Sequence, residues 1–307
     1  LISLLIYFTV PLTHKCSTRE RVSMKVARKL LNNTKARLGI FLLLVVLLAV
    51  GVGPLFSSYG AEQMGVGGSL QAPNGTYLMG TDLFGRDLLV RVLHGGRVSL
   101  EIAALVTLAA VTLGVLLGVV AGFYGGKLDL VLVRLTDVAF AFPEILMALA
   151  VGTILGPGYT TVIIALAVAY TPQVVRMVRA TVLEVRERAY VSAARSLGCR
   201  DWRIIARHIL PNCVAPVIVQ ASLILGFAVL AEAGISYLGF GIQPPTPSLG
   251  LLLADGRDFI YQAPYLSVFP GLAIALTVLG LNFTGDGLRD VLDPRTVTRE
   301  ARARSSR

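Results

Sequence analysis

The sequence predicts an all-α, polytopic membrane protein with about six transmembrane helices. Of its 307 residues, 55% are hydrophobic and only 15% are charged, whereas a soluble domain carries about a quarter charged residues. The hydrophobic residues are gathered into long apolar stretches, and a helix needs about 20 such residues to cross a hydrocarbon core. These stretches favour a bilayer environment over one large soluble core.

Six stretches are long enough, or nearly long enough, to cross a membrane as helices. They cover residues 38–56, 98–123, 130–154, 159–177, 212–236 and 266–284. The third is the least apolar of the six, because it contains Arg134, Asp137 and Glu144.

The distribution of basic residues predicts that both termini lie in the cytoplasm. With the N-terminus placed inside, all but four of the 28 lysines and arginines fall on the cytoplasmic side; the four are Arg86, Arg91, Arg97 and Arg257. Cytoplasmic segments of membrane proteins carry such an excess. The net charge of +10 does not indicate nucleic-acid binding, since the charges lie between apolar spans rather than along one exposed face.

Small residues recur every four positions in the second span, at Ala110, Gly114, Gly118 and Gly122. One face of the helix therefore has almost no side chains. Such a face allows the backbones of two helices to approach closely, so we interpret it as a packing surface rather than as the wall of a pore.

Carboxylates lie well inside the third and the fifth predicted spans. In the third, one helical stripe by the i, i+4, i+7 rule contains Asp137, Ala141, Glu144, Ala148 and Gly152. A carboxylate at the membrane centre costs about 2.5–3.5 kcal/mol, so we expect both acids to face protein or water. They are either part of a polar pathway or hydrogen-bonding groups that lock helices together, and Glu232 in the fifth span has the same two interpretations. Pro143 should bend the third helix.

The charged segment 177–211 predicts two helices joined by a turn. Residues 180–197 are good helix formers, and Gly198 can end that helix in the left-handed conformation. Asp201 can cap a second helix, which we expect to run to Leu210 and to end at Pro211.

The turn carries a small apolar tip, formed by Ala193, Ala194 and Leu197. A charged loop lying on anionic headgroups would need neither the glycine turn nor these small residues. We therefore interpret the segment as a docking element for a cytoplasmic partner.

The sequence contains no arrangement typical of an enzyme or of a cofactor site. A phosphate-binding loop needs G-x-x-x-x-G-K-[ST], and the only Gly-Lys pair, Gly126-Lys127, has neither the upstream glycine nor the following hydroxyl. The three cysteines and three histidines are too scattered for a disulfide framework or a metal centre. We expect no catalytic role and no cofactor in this chain, so that any ATP is bound by another chain.

The cytoplasmic segment also resembles a known motif. Residues 192–198 (SAARSLG), followed by 209–211 (ILP), are similar to the "EAA" loop of bacterial and archaeal ABC importer permeases, E-A-A-x3-G-x9-I-x-L-P. Two positions depart from the pattern, because Ser192 replaces the glutamate and His208 replaces the isoleucine.

Further segments resemble the C-type permease subunit of the dipeptide/oligopeptide/nickel branch of that family. They are 80–87 (GTDLFGRD) with 96–100 (GRVSL), 230–241 (LAEAGISYLGFG) with 243–248 (QPPTPS), and 285–290 (GDGLRD) with 293–295 (DPR). Their order along the chain matches the order in the family, over about residues 35–295.

The resemblance implies a type I importer fold and a set of partner chains. These partners are a homologous permease subunit, two cytoplasmic ATP-binding subunits and an extracytoplasmic solute-binding protein. The solutes would be di- or oligopeptides, nickel chelates or sugars. The residues that the resemblance assigns to ATPase coupling are Tyr190, Ser192, Ala193, Ala194, Leu197, Gly198, Asp201, Leu210 and Pro211. The alternative hypotheses are a proton-coupled secondary transporter, which the intramembrane carboxylates favour, and a membrane scaffold without transport activity.

The expected domain organisation follows from these assignments. It comprises a basic N-terminal tail (1–37), the first transmembrane helix with an extracytoplasmic segment (38–97), the permease domain including the loop 177–211 (98–288), and a cytoplasmic tail (289–307). The chain begins with Leu1, and a basic stretch follows Met24. We therefore expect Met24 to be the native start and residues 1–23 not to be native.

Overall fold

The computed structural model describes residues 33–53 and 59–292, and within them the regular structure is helical. The helices are α1 (Thr34–Val52), α2 (Leu88–Tyr124), α3 (Gly126–Phe140), α4 (Glu144–Leu155), α5 (Tyr159–Arg186), α6 (Ala189–Ser196), α7 (Asp201–Ile204), α8 (Leu210–Tyr237), α9 (Leu249–Arg257) and α10 (Tyr265–Leu292), with a π-helical turn (Ile205–Ile209) between α7 and α8. The expectations for residues 1–23 and for most of both tails lie outside the described residues.

The described part of the chain contains five helical stretches that are long and apolar enough to cross a membrane. They are α1, α2, α5, the continuous stretch from α7 to α8, and α10. The pair α3 and α4 provides a sixth crossing if it is counted as one span, although its two halves are bent by 95°. The predicted all-α fold with about six membrane helices is confirmed.

The bend between α3 and α4 occurs where the sequence predicts it. Pro143 directly precedes α4 and has an extended ψ of 135°. Proline has no backbone N–H to donate and disfavours a helical conformation in the residue before it, so α3 ends at Phe140. One consequence contradicts the sequence prediction: Asp137 and Glu144 lie on two differently directed helices, not on one continuous stripe.

Within the described residues the most extensive helix contact is between α2 and α5, along the predicted stripe of small residues. The glycines face three valines of α5, in the pairs Gly114–Val174, Gly118–Val178 and Gly122–Val182. A Cβ atom added to any of the three glycines would lie within 2.4–2.8 Å of the Cβ of its valine. Ala110 is fully buried. The prediction of a packing surface is therefore correct.

Helix α2 starts ten residues before the predicted span, at Leu88. The Asp87 carboxylate accepts hydrogen bonds from the backbone N–H groups of Leu89 (2.8 Å) and Val90 (3.4 Å), which is the usual arrangement at a helix N-terminus. The helix thus continues beyond the apolar stretch and carries Arg91 and Ser99 into contact with α8 and α9. We call this region the α9 end of the bundle, and the opposite region, where α6 lies, the α6 end.

Candidate functional site

The 177–211 loop at the α6 end contains one helix more than the sequence predicts. Helix α5 continues to Arg186, and α6 starts at Ala189 after a break at Glu187 and Arg188. The prediction of one helix over 180–197 is therefore wrong. The backbone of Arg188 is extended, with ψ 141°, so that α6 is a separate short helix rather than an extension of α5.

The end of α6 is a Schellman turn centred on Gly198. The Gly198 N–H donates to the Arg195 carbonyl (3.0 Å), and the Cys199 N–H donates to the Ala194 carbonyl (3.1 Å), which is the pair of bonds that defines this motif. Gly198 has a φ of +76°, and no atom lies within 4 Å of the position that a Cβ would occupy. The left-handed backbone, and not a lack of space, therefore requires glycine here.

The tip of α6 is exposed while its middle is anchored. Val191 is 1% exposed and belongs to the main core, whereas Leu197 is 84% exposed. Ser192 and Ala193 are exposed as well, and Ala194 is partly buried. The loop thus presents one large apolar side chain beside small ones, on a helix whose position is fixed by the core.

The second half of the loop continues into the membrane span without interruption. Asp201 is the first residue of α7, and Arg200 precedes it as the cap residue without a side-chain bond, so the predicted capping role of Asp201 is wrong. The predicted helix end at Pro211 is wrong as well, because the helical stretch runs on to Tyr237. The π-helical turn lies directly before Leu210 and Pro211, and the Leu210 N–H donates to the Ile205 carbonyl. This wider turn accommodates the missing proline N–H.

Tyr190 connects α6 to the π-helical turn. The Asn212 amide Nδ2 donates to the His208 carbonyl (2.6 Å) and, at 3.4 Å, to the Tyr190 hydroxyl. The rings of Tyr190 and His208 lie 5.8 Å apart. His208, one of the two residues that depart from the family pattern, is therefore part of the contact between α6 and the π-helical turn.

Asp137 of α3 forms an ion pair with Arg176 of α5, with Arg176 Nη2 donating to Asp137 Oδ1 at 3.0 Å. Both side chains are more than half exposed. The guanidinium group also lies over the Phe140 ring, 4.0 Å from its centroid. The pair therefore forms an open, charged surface beside the bend between α3 and α4.

Glu144 is the end of a chain of side-chain hydrogen bonds that joins three helices. It accepts a hydrogen bond from the Gln173 amide of α5. The Gln173 carbonyl oxygen in turn accepts one from Gln220 of α8, at 3.3 Å. Sequence reasoning did not identify Gln173 or Arg176, although polar residues three positions apart in an apolar helix are a recognisable signal.

Glu232 occupies a different environment at the α9 end, where it is fully buried. Its carboxylate accepts hydrogen bonds from Ser99 of α2 and Ser236 of α8, both at 2.7 Å. The Ser99 hydroxyl also accepts from the backbone N–H of Leu249, the first residue of α9 (3.2 Å). Three helices thus meet at one carboxylate, and the structure does not bring Glu232 together with Asp137 or Glu144.

The described residues contain no group of three or more histidine, cysteine or acidic side chains arranged to hold a metal ion. Cys199 and Cys213 are both free thiols.

Comparison with known proteins assigns the fold and the loop to one family. Residues 114–298 match the model of the binding-protein-dependent transport system inner membrane component. The chain belongs to this family. It is a multi-pass inner-membrane permease, one component of an ABC import system, as the resemblance of the 177–211 loop indicates.

Individual relatives agree with this assignment over most of the permease. It is 45% identical, over 88% of its own length and 90% of the relative's, to a protein of Brucella abortus named as a peptide transport system permease protein. It is 41% identical, over 87% of its length and 88% of the relative's, to the dipeptide transport system permease protein DppC of Alkalihalophilus pseudofirmus. The hypothesis of a proton-coupled carrier finds no support among these proteins.

The fold of the permease is also found in a solved structure. A chain of the MetNI methionine ABC transporter in an inward-facing conformation superimposes with a TM-score of 0.54, covering 66% of this chain and 96% of that one at 19% identity. At this level of identity the likeness concerns the fold.

Proposed function

We propose that this permease lines the translocation pathway of an ATP-driven importer of di- or oligopeptides, and that the 177–211 loop connects it to a cytoplasmic ATPase. The observation that carries the proposal is the tip of α6. Leu197 is 84% exposed, while Val191, on the same short helix, is 1% exposed. A helix that is anchored at one side and apolar at its free end fits a cleft on a partner.

The connection between the tip and the membrane spans supports a coupling role. The stretch from α7 to α8 is helical throughout its 37 residues, and Tyr190 fastens α6 to the start of that stretch. A displacement of the tip by a partner would therefore move α8 directly, without a flexible linker in between. Such a movement is what alternating access requires, since the spans rock around a central cavity.

The partner chains follow from the same reasoning. The sequence has no phosphate-binding loop, so we assign ATP hydrolysis to two separate cytoplasmic subunits. A homologous permease would complete the pathway, and an extracytoplasmic binding protein would deliver the solute. This arrangement places both termini and the α6 end in the cytoplasm and the α9 end outside.

The acidic residues are assigned two different roles. The ion pair between Asp137 and Arg176 is more than half exposed, and a charged side chain in contact with lipid is costly. We therefore propose that this surface, together with Glu144, faces the pathway and the second permease subunit. Glu232 is fully buried among serine hydroxyls, and we assign it to locking the helices at the α9 end.

Peptides are the proposed solutes because the two relatives described above are named for peptide and dipeptide transport. The selectivity of such a system lies largely in its binding protein, so the permease needs only a pathway that admits peptides of different sequence. A mixed polar and apolar surface, such as that around Asp137 and Phe140, suits this requirement.

The docking role can be tested by placing a charge on the exposed tip. We expect Leu197→Asp to abolish co-purification of the ATPase subunits in mild detergent and ATP-driven peptide uptake in proteoliposomes, because a carboxylate cannot enter an apolar cleft without a large desolvation cost. The matched control is Tyr261→Asp, which alters a 99% exposed side chain at the α9 end and should leave ATPase binding intact. Normal ATPase binding by Leu197→Asp would refute the docking role.

A further inference from the structure

A cavity of about 600 Å³ opens at the α9 end of the permease. It lies between the residues preceding α2, the end of α8 and the length of α9, and we call it the α9 cavity. Its volume is within the range of about 300–1,000 Å³ that is typical of small-molecule sites. None of the residues assigned to coupling or to the pathway lines it.

The charged residues around the α9 cavity are balanced in sign. The cavity is lined by three acids and two arginines, and a third arginine lies directly behind them; the set is Asp82, Asp255, Asp258, Arg86, Arg257 and Arg91. A balanced lining gives little net attraction for a simple ion. It is complementary to a ligand that carries a positive and a negative group at the same time.

Asp82 and Asp255 both contact Arg91, but their carboxylates differ in the number of hydrogen bonds that they accept. Asp82 accepts from Arg86 Nε at 2.6 Å and from the backbone N–H groups of Phe84 and Arg86. Asp255 lies 3.6 Å from the guanidinium of Arg91, and within the described residues its carboxylate accepts no hydrogen bond. Asp255 therefore lines the cavity with free acceptor oxygens.

The surroundings of Asp255 increase the need for a partner. Burial raises the pKa of its carboxyl above the ordinary value, the charges of Arg91 and Arg86 lower it, and those of Asp82 and Asp258 raise it, while the side chain keeps 49% of its surface exposed. Arg91 is 2% exposed, and its Nε and Nη1 atoms form no hydrogen bond. A partly desolvated carboxylate with free acceptors gains most from a donor that also carries a positive charge.

Part of the remaining wall of the cavity is apolar and open. Leu83, Phe84 and Leu238 line it with large side chains that are each about half exposed. Apolar surface of this kind contacts side chains of different shape without selecting one of them. Arg257, which is exposed, forms an ion pair with its neighbour Asp258 and lies 5.5 Å from the centroid of the Tyr237 ring, so that it supplies a guanidinium at the rim.

We propose that the α9 cavity is a receiving subsite for a zwitterionic di- or tripeptide. The peptide's ammonium group donates hydrogen bonds to the Asp255 carboxylate, its side chains contact the apolar wall, and its terminal carboxylate lies towards Arg257. The inference rests on the proposed function, since it names where an imported peptide first contacts the permease.

The test is equilibrium binding of trialanine, and of N-acetyl-trialanine, to the permease–ATPase complex purified without its binding protein. We expect trialanine to bind the wild-type complex and to bind Asp255→Asn about tenfold more weakly, because a hydrogen bond to a charged group is lost. N-acetyl-trialanine lacks the ammonium group and should bind equally weakly to both proteins. Glu101→Gln makes the same acid-to-amide change at an exposed residue that does not line the cavity, and it should bind trialanine like the wild type.

Equal affinity of wild type and Asp255→Asn for trialanine would overturn the proposal. Equal affinity of the wild type for the free and the acetylated peptide would overturn it as well, and this comparison does not depend on the folding of any variant. If Asp255→Asn weakens only the docking of the binding protein, the cavity holds a segment of that protein instead.

Uptake of trialanine by wild-type proteoliposomes with binding protein, measured in parallel, separates the two proposals. Uptake without detectable binding to the complex refutes the subsite alone. Absence of peptide uptake refutes the proposed function, and the subsite with it.

Discussion

Glu232 of α8 accepts a hydrogen bond from Ser99 of α2 at 2.7 Å, and both side chains are fully buried. The same serine accepts from the first backbone N–H of α9. One carboxylate therefore holds the start of α2, more than 100 residues away in sequence, against α8 and α9 beside the α9 cavity. Both carboxylate oxygens of Glu232 accept hydrogen bonds from serine hydroxyl groups, so its role in holding the helices depends on the positions of these two acceptor atoms.

Removal of this acceptor should destabilise the permease. Glu232→Ala leaves the hydroxyls of Ser99 and Ser236 buried without their acceptor, and each unsatisfied group costs about 1–3 kcal/mol. We expect a clearly lower midpoint of thermal unfolding in detergent. Glu232→Gln keeps one acceptor oxygen and should lower the midpoint much less. An Ala variant as stable as the wild type would contradict the locking role.

The contact between α2 and α5 should not tolerate a single added methyl group. A Cβ on Gly118 would lie 2.8 Å from the Val178 Cβ, and such overpacking costs about 1–3 kcal/mol. We expect Gly118→Ala to lower the unfolding midpoint, and Val178→Gly, which removes the contacted Cβ, to lower it less in this background than in the wild type. Gly51→Ala is the control, because nothing lies within 4 Å of that position. Additive effects of the two α2–α5 changes would show that the residues are not in contact.

Replacement of Asp137 should affect transport more than stability. The ion pair with Arg176 is more than half exposed, and exposed pairs contribute only about 0–1 kcal/mol. We expect Asp137→Ala to unfold at nearly the wild-type temperature while peptide uptake in proteoliposomes is reduced. Glu232→Ala, in contrast, should affect the unfolding temperature more than peptide uptake. If Asp137→Ala takes up peptide at the wild-type rate, Asp137 is not part of the pathway.

The backbone conformation of Gly198 provides a graded test of the coupling turn. Its φ of +76° is accessible to asparagine at modest cost but strongly disfavours a β-branched residue. We therefore expect Gly198→Asn to retain ATPase binding and ATP hydrolysis by the complex, and Gly198→Val to lose both while still inserting into the membrane. If both variants bind the ATPase equally well, the left-handed turn is not needed for docking.

The membrane spans, the α2 stripe and the glycine turn could be predicted from the sequence because each depends on neighbouring residues. Apolar length, a four-residue repeat and a glycine after a helical stretch are local patterns. The start of α2 was also marked locally, by Asp87 before the helix, although the apolar stretch begins ten residues later. A capping residue was the better guide to this boundary than hydropathy.

The missed features depend on contacts between distant segments. The partner of Asp137 is 39 positions away, and Asp255 meets Arg91 only because α9 folds back over the start of α2. The break at Arg188 interrupts a run of good helix formers, so no local sequence pattern predicts it. At Pro211 the rule that proline ends a helix failed, because the preceding π-helical turn accommodates the ring.

Helix α2 has 37 residues, which corresponds to a rod of about 55 Å, whereas the hydrocarbon core is about 30 Å thick. The glycine contacts with α5 lie in its second half, and the residues next to the α9 cavity lie at its start. A rod of this length that is pivoted at one end moves its free end by roughly 10 Å when it tilts by 10°. If α2 tilts by about 10° around the half that packs on α5, its start would therefore move by several ångströms. In the proposed orientation, a small change in angle at the glycine contacts with α5 would displace the extracytoplasmic residues next to the α9 cavity several times further than the residues at the contacts themselves.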